Sequence, residues 1–220
     1  MSPTRVPISR AFSLVEILAA LAIVSILVAM AVPAVSSYGR STALATGGNM
    51  VANLAALARQ TAIARNSMAA LVLLGAQGTE EDFRAFTVAE YRPGEGWVQL
   101  TDWKTLPIGI VVDPSPPLAS TFLLNSPRPF PFLAGPPRQP NPPLSYQGRN
   151  LSDGPGYAAR IFLPGGGLYN PQHPAQIRMV EGVLQAGQVT HTRRGADGQP
   201  ANYYDLTILG ATGITKVYRP

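Results

Sequence analysis

Between Ile17 and Gly39 the chain carries no charged side chain, and the stretch ILAALAIVSILVAMAVPAV within it is interrupted only by Ser25 and Pro33. A helix of ~20 apolar residues is what the hydrocarbon of a bilayer demands, so the sequence predicts a membrane-spanning helix here. Arg5 and Arg10 precede it, and no acid occurs before Glu16. The excess of positive charge keeps the N-terminus cytoplasmic and sends the residues beyond Arg40 across the membrane. A conventional secretory signal has an apolar region of ~7–15 residues. This run is longer, and such a signal has no use for Glu16 at its start.

The remainder of the 220 residues is ordinary in size for one further domain. Charged residues make up only 13% of the chain, about half the usual ~25%, in keeping with a segment that leaves water. The 22 prolines and 21 glycines argue against a helical bundle. No Cys is present, which excludes disulfides, thiolate metal sites, cysteine nucleophiles and a lipidated-cysteine anchor. The formal charge of +5 is uneven: residues 12–113 hold six basic and eight acidic side chains, residues 114–220 nine and four. Any basic surface belongs to the C-terminal half.

Glu16 is the informative residue, because a carboxylate on an apolar helix costs about 2.5–3.5 kcal/mol at the bilayer centre on insertion scales. It follows Arg10-Ala11-Phe12-Ser13-Leu14-Val15 and opens the apolar run. This arrangement closely resembles the class III signal of type IV prepilins and type II secretion pseudopilins. In that family a prepilin peptidase cuts on the cytoplasmic side of the apolar helix, before a Phe, and methylates the new amine. The resemblance implies cleavage between Ala11 and Phe12, N-methylation of Phe12, and Glu16 as the fifth mature residue. Ala11 stands where the family usually has Gly, and a small side chain still leaves room for the peptidase. Pro33 falls where these helices commonly carry a proline. The resemblance further implies that Glu16 of one subunit meets the Phe12 amine of its neighbour, since a buried carboxylate is tolerable beside a cation. Leu14, Ile17, Leu18, Leu21, Val24 and Val28 recur at helical spacing and suit an apolar filament core.

Past Pro33 the helical pattern continues through Val35, Leu44, Val51, Leu54, Leu57, Ala58 and Ala62 and ends near Asn66-Ser67, with a kink or short break expected at Gly47-Gly48. The period then becomes that of strands. Candidates are Ala69–Leu74, Arg84–Tyr91, Trp97–Leu100, Gly109–Val112, Arg160–Leu163, Gln176–Met179, and a hairpin of Tyr204–Leu209 with Ile214–Tyr218. Turns are expected at Pro93-Gly94-Glu95-Gly96, Gly165-Gly166-Gly167, Asp197-Gly198 and Gly210-Ala211-Thr212-Gly213. Residues 127–143 hold eight prolines and no acid, which reads as an extended surface loop within 113–158.

The phrases NLAALARQTAIARNSMAALVLL, GWVQLTDWKTLPIGIVV, RIFLPGGGL and YYDLTILGATGITKV resemble the GspH/FimT-like minor pseudopilins. The implied fold class is α+β: a long N-terminal helix, membrane-spanning in its N-terminal half, packed against an antiparallel β-sheet domain. The implied organisation is a basic leader at 1–11, a transmembrane and filament-core helix at 12–39, the second half of the helix at 40–67, and a β-rich globular domain at 68–220.

No catalytic constellation emerges. His173 and His191 offer no metal-binding spacing and read as solvent-facing residues; Gly165-Gly166-Gly167 lacks the Lys-Ser/Thr of a phosphate loop; Glu80-Glu81-Asp82 reads as a solvated turn. No cofactor and no metal is expected, and the chain is read as a non-enzyme. The resemblance implies a structural subunit, a minor pilin or pseudopilin of a type IV pilus or type II secretion pseudopilus. It would be stored in the bacterial inner membrane with its globular part periplasmic, then assembled into a periplasmic or extracellular filament. Its partners would be the prepilin peptidase, other subunits, the inner-membrane assembly platform and the membrane. A second reading is a FimT-like DNA-uptake pilin binding DNA through Arg193, Arg194, Lys216 and Arg219, with tyrosines such as Tyr157, Tyr203, Tyr204 and Tyr218 as stacking platforms and Arg160 and Arg178 adding charge. A third is a signal-anchored periplasmic binding or enzymatic domain.

Overall fold

A computed structural model describes residues 14–75, 78–114, 144–151, 156–169, 171, 174–185, 188–196 and 198–219, leaving out the side chains of 30–38. Ala11, Phe12, His173 and the proline-rich run 127–143 lie outside the described residues. The chain divides into two compact units, 1–39 and 40–220.

The first element, α1 (Leu14–Ala64), is a helix of 51 residues. In the first unit its described side chains, 14–29, are all exposed. Among the described residues no helix is long and apolar enough to cross a membrane. The membrane-spanning half expected at 17–39 therefore finds no support among the described residues, and the side chains of 30–38 within it lie outside them.

In the second unit α1 shows why it folds as it does. Leu44, Gly47, Gly48, Val51, Leu54, Ala55, Ala58 and Ala62 are buried, the three- and four-residue spacing of one helix face. The break expected at Gly47-Gly48 does not occur: α1 runs through both. A β-carbon on Gly48 would lie 2.4 Å from the Tyr204 ring, and one on Gly47 3.0 Å from Leu106. The two glycines therefore serve close approach of helix and sheet, and packing offsets their ~1 kcal/mol propensity penalty. The helix ends as the sequence suggests. Asn66 adopts φ 47°, and Ser67 N donates to Ala62 O while Asn66 N donates to Ile63 O, the paired bonds of a Schellman cap.

The strands follow as β1 (Ala69–Leu74), β2 (Ala85–Arg92), β3 (Gly96–Gln99), β4 (Lys104–Thr105), β5 (Ile110–Val112), β6 (Ser145–Tyr146), β7 (Arg149–Asn150), β8 (Tyr157–Phe162), β9 (Ala175–Gln185), β10 (Gln188–His191), β11 (Tyr203–Ile208) and β12 (Thr215–Tyr218). One sheet has the order β3-β2-β1-β8, with β4 also on β2; a second has β10-β9-β11-β12, with β5 also on β9; β6 and β7 pair alone. Every described pairing is antiparallel. The architecture is α+β. Strands β1 and β8 are buried along their whole length, so both faces of that part of the sheet are covered.

Strand β9 extends six residues beyond the expected Met179, because its second half pairs with β10, which the sequence did not suggest. The expected hairpin is present as β11 and β12, Asp205 facing Tyr218 and Ile208 facing Thr215. The two glycine-rich turns do more than reverse the chain. A β-carbon on Gly210 would stand 2.0 Å from Pro171 O, one on Gly213 2.0 Å from Gly166 O, and one on Gly167 2.6 Å from Ala211 O. Arg59 of α1 closes this knot, its Nε donating to Thr212 O at 2.8 Å.

Candidate functional site

Glu16 occupies the first turn of α1, where a carboxylate is favoured by the positive end of the helix dipole. It borders a shallow groove with Ile17, Ala20, Leu21 and Val24, the i, i+4, i+8 face of one helix. Around it Leu14, Ile17, Leu18, Leu21, Val24 and Val28 are each more than half exposed. So long an apolar surface needs a cover of lipid or of other helices. The structure thus joins Glu16 to the apolar positions read from the sequence on one helix.

The second cluster is on the second sheet. Arg193 and Arg194 are exposed at the base of an excursion between β10 and β11, tied by Ala201 N donating to Arg193 O and Gly195 N donating to Gln199 O. Lys216 and Arg219 are exposed on and just after β12, and the Arg219 guanidinium lies 5.8 Å from the centre of the Tyr204 ring. Two arginines of the basic half are not available to a ligand. Arg178 is buried, its Nε and Nη2 gripping the Asp205 carboxylate at 2.8 and 2.6 Å, and it stacks 4.2 Å over the Tyr203 ring. The Asp205 hydrogen bond holds the Arg178 pKa above its ordinary value. Arg160 is buried on β8, and desolvation pushes its guanidinium down to about 10. Tyr157 and Tyr204 are buried as well, and burial raises the Tyr157 hydroxyl's pKa. As stacking platforms they are lost.

Three further polar contacts escaped the sequence. His191 Nε2 lies 3.3 Å from Asp113 Oδ2, and its side chain is only 12% exposed, so it is not the solvent-facing residue expected. Asp82 is buried and accepts from Gly78 N, Thr79 N and Thr79 Oγ1, an internal staple within the expected solvated turn. Glu90, buried on β2, lies between Arg65, 3.3 Å away just past α1, and Arg92 on its own strand. Each pair is distant in sequence or hidden within a polar run, where spacing gives no signal. Among the described residues no three His, Asp or Glu are grouped to hold a metal ion.

No family model matches the chain and no curated protein matches it. It is similar to several solved structures. The minor pseudopilin EpsH from the Type 2 Secretion System of Vibrio cholerae aligns with TM-score 0.43 and 13% identity over 80% of this chain and 97% of that one. The type IV minor pilin FimU of Pseudomonas aeruginosa aligns with TM-score 0.40 and 8% identity over 83% and 92%. A second structure of Vibrio cholerae EpsH gives 0.39 and 13% over 81% and 96%.

Proposed function

We propose that the chain is a structural subunit of a type IV pilus or type II secretion pseudopilus, a minor pilin or pseudopilin of the GspH/FimT-like kind. The observation that supports this reading is a helix that carries Glu16 in its first turn, exposes a largely apolar surface over 14–29, and buries its 44–62 face in an antiparallel β domain. In this reading a prepilin peptidase removes 1–11 between Ala11 and Phe12, and residues 17–39 hold the subunit in the inner membrane with the globular part periplasmic. An assembly platform then delivers it to a periplasmic or extracellular filament. Phe12 supplies a methylated cationic amine. In the filament core, where both groups leave water, Glu16 of the adjoining subunit neutralises it. Apolar packing of 14–28 against neighbouring helices replaces the lipid.

The experiment is Glu16→Ala. Membrane insertion depends on apolar length and is expected to stay as in wild type, whereas the amount recovered in shear-released filaments is expected to fall at least about tenfold, since removal of one partner of a buried ion pair costs about 3–5 kcal/mol. Equal recovery of variant and wild type would reduce Glu16 to an interfacial bystander.

A further inference from the structure

Strand β12 pairs with β11 on one side, and no other described strand pairs with it. The register fixes which backbone groups are left over. Leu209 N donates to Ile214 O at 2.9 Å, so by the alternation of an antiparallel ladder Thr207/Lys216 and Asp205/Tyr218 exchange hydrogen bonds, whereas the N–H and C=O of Thr215 and Val217 face away from β11. Around this open edge Ile214, Val217 and Tyr218 are 50%, 50% and 59% exposed.

The charge on the edge is one-sided. Lys216 and Arg219 are exposed, and Asp205, the only acid of the β11–β12 hairpin, is buried in its bidentate contact with Arg178. Two copies of β12 pairing edge to edge would bring cations together, which disfavours self-pairing. An incoming strand that carries carboxylates gains what a second copy loses.

We propose that β12 is a strand-addition site for an extended acidic segment of another polypeptide, with carboxylates opposite Lys216 and Arg219 and an aliphatic side chain opposite Val217. The backbone of Thr215 and Val217 supplies the ladder and the charges select the partner. This holds independently of whether the chain is a filament subunit.

The test uses the full chain in detergent at about 150 mM salt, where charges more than ~8 Å apart are screened, with the blocked hexapeptide TETVET as probe. In antiparallel register its glutamates fall opposite Arg219 and Lys216. Saturable amide shifts and slowed hydrogen exchange at Thr215 and Val217 are expected. Val217→Pro removes an outward N–H without touching the bonds to β11 and should weaken binding at least about tenfold. Lys216→Glu, at an exposed position that leaves the fold intact, should weaken TETVET and move the preference to TETVKT, whose lysine falls opposite position 216 while its glutamate still meets Arg219. The proposal fails if TETVET does not bind, if TKTVKT binds wild type equally well, if neither substitution changes affinity, or if a single-stranded oligonucleotide occupies the edge and the peptide does not.

Discussion

The ring of Tyr204 rests directly on Gly48, close enough that a β-carbon there would come within 2.4 Å of it, and the tyrosine hydroxyl donates to Asn49 Oδ1 at 3.1 Å. One strand residue thus uses two consecutive helix positions, the first for space and the second for a hydrogen bond. The ring is buried, and its burial raises the hydroxyl's pKa, which Arg219 partly opposes.

Gly48→Ala should therefore destabilise the fold although alanine is the better helix former. Overpacking costs about 1–3 kcal/mol, against a propensity gain of about 1 kcal/mol. At Gly39, where a β-carbon meets nothing within 4 Å, the same substitution should be neutral or stabilising by about 1 kcal/mol. Denaturant midpoints of the two variants in detergent check the pair. A stabilised Gly48→Ala would mean that the Tyr204 contact does not hold the helix on the sheet.

The knot of glycine turns gives a stronger version of the same contrast. Gly210→Ala drives a methyl into the Pro171 carbonyl, and Gly213→Ala adds a left-handed backbone, φ 65°, to its clash with Gly166. Backbone cannot yield as a side-chain tip does, so each should lose at least about 3 kcal/mol or fail to fold. Gly165→Ala, with open space around it, should stay within ~0.5 kcal/mol of wild type. Thermal unfolding of the three variants decides, and tolerance of Gly210→Ala would count against the interlocked turns.

These two sites also mark where the sequence is legible. The buried face of α1 was legible from its three- and four-residue spacing, and β1 and the β11–β12 hairpin from short apolar or β-branched runs bounded by turn residues, because each signal is local. Local sequence marked Gly210 and Gly213 as a turn, and marked Gly47 and Gly48 as a break that α1 does not make. It could not show that each lies against a group such as Tyr204, Pro171 or Gly166, far along the chain. Strands β6 and β7, two residues each, are too short for any period to register. Arg178 and Arg160 read as surface charge because their neighbours in sequence do not reveal Asp205 or the covered face of β8. The place of Glu16 and its apolar stripe on one helix was legible because they are close in sequence, whereas their part in assembly belongs to the proposal.

Arg178 and Asp205 form a buried ion pair, and its two halves should not be separable. Asp205→Ala leaves a guanidinium buried without its carboxylate and should cost about 3–5 kcal/mol. Replacing both, as Arg178→Met with Asp205→Leu, removes the two desolvation penalties together and should bring stability back to within about 1 kcal/mol of wild type or above it. Chemical denaturation of both variants measures this coupling. A double variant as unstable as Asp205→Ala would show that the pair contributes through something other than mutual neutralisation.

The central claim, that this helix is retained and presented at its N-terminus for assembly, is tested most directly by the mass of the mature amino-terminal peptide from a host with an active prepilin peptidase. The account predicts a chain that begins at Phe12 with one methyl group on its amine and still contains residues 17–39. A mature chain that begins beyond Arg40, with the apolar helix removed, would contradict it.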